Sequence, residues 1–182
     1  EWVEEAERRG LPNLKSMVDA IPALVTEKSI RMFERFGVFS ESELFSRAEI
    51  KYETYNKALN IEALTMIDMA VKQILPAVIK YTGTLSQIME SLRAIGADAS
   101  VQTELLSGIS SLLNEANGAV KILREVTAEA GTIESNEKRA HFYHDYVLPA
   151  MEALRRPVDK MEMLVDKEAW PMPSYGDLMF EV

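Results

Sequence analysis

Cysteine is absent from the 182 residues, which excludes disulfides, thiolate metal sites and thiol nucleophiles. Histidine is nearly absent, with only His141 and His144. A di-iron bundle needs a Glu-x-x-His pair on each of two helices, and these two histidines fall on one predicted helix. The eight glycines are scattered, with no GxGxxG, no GxxxxGK[ST] and no GxSxG, so phosphate loops and the nucleophile elbow are missing. Positive charge is sparse and dispersed. With 20 Lys and Arg against 29 Asp and Glu, the net charge is -9, which argues against a nucleic-acid or anionic-membrane partner. The longest apolar stretch is broken by Glu62, Asp68, Lys72 and Gln73 and does not read as a membrane span. Nor is a signal peptide visible at the start. The opening EWVEEAERRG reads as the middle of a charged helix, as in a piece of a longer protein.

What the chain has is helical periodicity. Residues 60–81 are apolar around most of the helix. One face carries Leu59, Ala63, Met66, Ala70, Ile74, Ala77 and Tyr81; another carries Ile61, Leu64, Ile67, Val71, Leu75 and Val78. Such a helix is expected to be buried by neighbours on several sides. Upstream, residues 1–9 read as a helix stopped by Gly10 and Pro12. Residues 14–36 read as a helix broken near Pro22 and capped by Gly37. Ser40 with Glu43 forms a capping box that opens a helix running to Tyr81 and on towards Ile95, with Pro76 and Gly83 expected to kink or interrupt it.

After a turn at Gly96-Ala97-Asp98, the next helix carries the stripe Leu105, Ile109, Leu112, Ala116, Ala119, Leu123, Val126, Ala130, and Gly131 ends it. The last long helix, residues 135–167, carries Ala140, Tyr143, Val147, Met151, Leu154, Val158, Met161 and Val165, with Phe142, Tyr146 and Pro149 opposite. The tail WPMPSYGDLMFEV is irregular and apolar, so Trp170, Tyr175, Leu178 and Phe180 are expected to dock. The fold class is all-α: an up-and-down bundle of long helices with kinks and an irregular apolar C-terminal tail.

Two polar groups invite a chemical reading. His141, His144, Asp145 and Glu137 share a helical face, and their spacing would allow a metal or acid–base cluster. The preferred reading is structural, with His141 towards solvent and His144 half buried beside the core stripe. A phosphotransfer histidine is disfavoured by the bulk of Phe142, Tyr143 and Tyr146. Glu49, Glu53, Glu62 and Asp68 line the central helix, and salt bridges to Lys51, Lys57 and Lys72 explain them better than a carboxylate site. The ten methionines read mainly as core filler. No catalytic, cofactor-binding or metal-ligating residue is assigned.

The ordered segments EEAERRGLPNLKSMVDAIPALVTEKSIRMFERFGVFSESEL, YNKALNIEALTMIDMAVKQILPAVIKY, HDYVLPAMEALRRPVDKMEMLV and WPMPSYGDLMF resemble the C-terminal region of type III glutamine synthetase, the large bacterial form. The resemblance covers nearly the whole chain and is weakest over residues 84–133. It implies a parent enzyme that joins glutamate and ammonia using ATP and a divalent metal such as magnesium, as large rings of identical subunits; the expected cytoplasmic location is compatible with the absence of cysteine. The catalytic motifs lie upstream in that family, so no catalytic residue carries over. The resemblance implies residues 1–39 as a helical connector leaving the catalytic domain, 40–167 as the bundle and 168–182 as a docked tail. The partners it implies are the chain's own catalytic domain and identical subunits. The alternative is a free-standing helical interaction or sensor module that binds a partner helix or small ligand.

Overall fold

The computed structural model describes residues 1–173 and 175–180, with the side chain of Tyr175 outside that description. No strand occurs among the described residues, and the all-α expectation holds. The helices are α1 (Trp2–Arg8), α2 (Met17–Ala20), α3 (Glu27–Arg35), α4 (Glu41–Met69), α5 (Leu75–Ala94), α6 (Ser100–Thr132), α7 (Asn136–Phe142), α8 (Leu148–Glu162) and α9 (Tyr175–Phe180). A 3-10 turn, Ile21–Val25, joins α2 towards α3. Two π turns, Ala70–Ile74 and Tyr143–Val147, join α4 to α5 and α7 to α8.

Local chemistry sets the ends. Gly10, Gly37 and Gly96 have φ of 72°, 64° and 71°, a region a side chain would strain. Each lets the chain reverse so that the next N–H reaches back over the last turn, as from Val38 to the Phe33 carbonyl at 2.9 Å and from Ala97 to that of Leu92 at 2.9 Å. Ser40 donates its backbone N–H to Glu43 Oε2 at 2.8 Å, which is the glutamate half of the capping box, and its hydroxyl donates to the same oxygen at 2.8 Å. Ser16, Thr26 and Ser135 each accept an N–H from three residues on, opening α2, α3 and α7.

The region 14–36 is less helical than expected. Pro22 lies at the start of a 3-10 turn, and Ser16 and Thr26 open two short helices in place of one. Neither Pro76 nor Gly83 ends the long helix, which continues from Glu41 to Ala94 through the π turn; Gly83 sits inside α5. The last long helix also stops at Glu162 rather than Lys167.

The chain divides into two units. The first is Glu1–Leu59 with Ala130–Asp145. Its core is Val18, Ile21, Ala48, Tyr52 and Ala140, with Leu24, Val25 and Tyr55 packed against it. At its α3–α4 corner the Arg47 guanidinium lies 4.1 Å from the centre of the Phe39 ring, and Phe33 stacks obliquely on Phe39 at 5.6 Å. The second unit is Asn60–Glu129 with Tyr146–Val182. In it Ile109, Ala116, Ala119 and Leu123 of α6 and Leu154, Pro157 and Met161 of α8 are buried. Both predicted stripes are buried or half-buried along their whole length.

The central helix is buried on one side only in part. Leu59, Ala63, Ala70 and Ile74 are buried, as are Ile67, Leu75 and Val78. Ile61 and Leu64, expected to be covered, remain 63% and 52% exposed. Nothing among the described residues covers that half of the second face.

Candidate functional site

His141 and His144 are half-buried, and His144 Nδ1 lies 2.7 Å from Asp145 Oδ1 on an exposed surface. Among the described residues no three His, Asp or Glu side chains stand together as metal ligands would. The carboxylates Glu49, Glu53, Glu62 and Asp68 are exposed, and two of them pair locally: Glu53 with Lys57 at 2.6 Å, and Asp68 with Lys72. Glu49 accepts from Asn136 Nδ2 at 2.5 Å.

That last bond belongs to a polar clamp that periodicity alone did not reveal. Asn56 sits between Tyr52 and Leu59 on the buried stripe of α4 and is only 4% exposed. Its Nδ2 donates to the Asn136 carbonyl at 2.9 Å, fastening α4 to the first turn of α7. The Asn56 Oδ1 is buried without a partner, a costly arrangement. A polar residue in an otherwise apolar stripe was the available signal. Beside the clamp, burial pushes the Tyr52 hydroxyl above the usual tyrosine range, and the negative charges of Glu137 and Glu49 push it further. Burial likewise raises Tyr143, which Arg139 partly offsets.

The second unit contains a cavity of about 490 Å³. Met66 and Met69 of α4, Leu154 and Val158 of α8, and Trp170 and Leu178 of the tail line it, and Arg155, Asp159 and Glu162 are its charged members. The tail thus packs at Trp170, as expected, whereas Leu178 and Phe180 stay 68% and 78% exposed. Tyr175's side chain, also expected to dock, lies outside the described residues. A void between elements leaves no mark on periodicity; the closest sequence signal was the pairing of Met66 and Met69 with a tryptophan followed by prolines.

Exposed apolar side chains are numerous in both units. Trp2, Phe36 and Val38 stand out in the first, and Ile61, Ile79 and Phe180 in the second. Residues 1–93 match the family of glutamine synthetase C-terminal domains. The chain belongs to that family. Over 184 residues it is 34% identical to a glutamine synthetase of Butyrivibrio fibrisolvens, covering 100% of the chain and 26% of the relative. Over 186 residues it is 28% identical to a glutamine synthetase of Bacteroides fragilis, covering 99% and 26%. A type-3 glutamine synthetase of Dictyostelium discoideum is 30% identical over 190 residues, covering 99% and 25%. This C-terminal domain therefore spans about a quarter of the length of the curated relatives it matches.

Proposed function

We propose that this chain is a non-catalytic structural part of a glutamine synthetase, stabilising the subunit and its assembly with identical subunits. The observation that carries the reading is an end-to-end match to glutamine synthetases that leaves the larger part of each relative unmatched. In this reading the parent protein joins ammonia to glutamate with ATP and a divalent metal, and residues 1–39 lead from its catalytic domain. Residues 40–167 would supply the helical body, and residues 168–182 the tail, which packs at Trp170. The described residues do not fit ATP or the metal, since they offer no cluster of metal-ligating side chains and the sequence has no phosphate loop. No step of the ligation is assigned to this chain.

Exposed Trp2 and Phe36 in the first unit, and Ile61 and Ile79 in the second, are the side chains this role would cover. A net charge of -9 supports protein partners over nucleic acid. A cytoplasmic location accompanies the reading, and no described helix is long and apolar enough to cross a membrane. The test is an assay of the purified chain for glutamate-dependent ATP turnover. None is expected; turnover that survives removal of contaminating enzyme would overturn the reading.

A further inference from the structure

An assembly role leaves the cavity of the second unit unused. Its volume, about 490 Å³, lies in the range of small-molecule sites. Three features beyond size set it apart from a packing gap. Met66 and Met69 line it, and the flexible thioether adapts to irregular guests. Ala70 and Ile74, which bound the π turn, also line it, and such turns recur at functional sites. Trp170 is part of the lining, and its indole N–H is buried with no acceptor. A buried donor left unpaired is costly unless something else completes it.

The charges narrow the guest. Arg155 Nε donates to Asp159 Oδ2 at 3.2 Å, so the cation is already matched, and Glu162 adds a second carboxylate. An anion would meet two carboxylates, and a cation would compete with Arg155 for Asp159. A neutral molecule meets neither penalty. We propose that this cavity binds a neutral, largely apolar small molecule with one hydrogen-bond acceptor, whose oxygen pairs with the Trp170 indole N–H once the ring turns to bring that closed-off N–H to the cavity.

The experiment uses the full-length protein containing this chain and two probes of similar size: acetophenone, an aromatic ketone, and ethylbenzene, which lacks the acceptor. Isothermal titration should show saturable binding of both, with acetophenone roughly tenfold tighter, the scale of one neutral hydrogen bond. Trp170→Phe should bring the two affinities together. Met69→Trp, which fills the cavity, should abolish both while the melting temperature is kept; Val158→Phe serves if Met69→Trp does not fold. Absence of saturable binding, binding that survives both filling variants, or an unchanged preference in Trp170→Phe would each overturn the proposal. So would a structure of the full-length assembly with a neighbouring chain's side chain in the cavity.

Discussion

Pro76 and Pro149 occupy equivalent places in the fold: each follows a leucine and is the second residue of an α-helix that comes directly after a π turn. Proline lacks an N–H and its ring crowds the carbonyl four residues back, here those of Lys72 and Asp145. Both carbonyls lie within the π turns, where the widened helix relieves the crowding. The break that proline normally forces becomes a local widening, and the helix continues. Pro76→Ala should therefore change stability by no more than about 1 kcal/mol. Glu62→Pro, in the regular part of α4, should cost about 3 kcal/mol or more. Thermal melting of both variants checks the contrast.

The local signals in the sequence were readable and the long-range ones were not. Ser40 with Glu43 and the glycines at 10, 37 and 96 act within one turn, so their residues alone determined the outcome. The α6 and α8 stripes were readable because 3.6-residue periodicity reports which side is buried. It does not report what covers that side, and Ile61 and Leu64 stay exposed within this chain. Pro76 announced a disturbance without its form. The cavity beside Trp170 depends on how α4, α8 and the tail meet, which no local pattern records.

Glu43 gives a pH-dependent prediction. The Ser40 backbone N–H, and then its hydroxyl, hold the Glu43 carboxyl below the usual glutamate range. A depressed folded-state pKa contributes stability above the unfolded value, lost as pH falls through the folded one. Glu43→Gln should be less stable than the parent at neutral pH, and the gap should close in acid below the usual glutamate range. Denaturant melts across that range measure it.

Asn56 should tolerate little. Asn56→Asp places a carboxylate where Nδ2 now donates to the Asn136 carbonyl, close to Glu49. The loss should be at least about 1–3 kcal/mol at neutral pH, the cost of an unsatisfied buried group. Burial raises the pKa of such an aspartate, so the penalty should shrink as pH falls and the acid regains a proton to donate. Equal stability of Asn56→Asp and the parent at neutral pH would show that the clamp is slack.

Leu123 is fully buried on α6, and Lys121, two residues before it, is exposed. Leu123→Ala should cost about 2–5 kcal/mol through lost burial and a residual cavity. Lys121→Ala should stay within about 0.5 kcal/mol. Similar melting temperatures for the two variants would mean that the α6 stripe does not hold the second unit together.

The central claim is that this C-terminal domain serves structure and assembly, and sedimentation velocity tests it most directly. The full-length protein is compared with a form ending before Glu1 of this chain. The account predicts that the intact protein sediments as a large assembly and that the shortened form sediments as smaller species or aggregates. A shortened form that keeps the same assembly and the same melting temperature would contradict it.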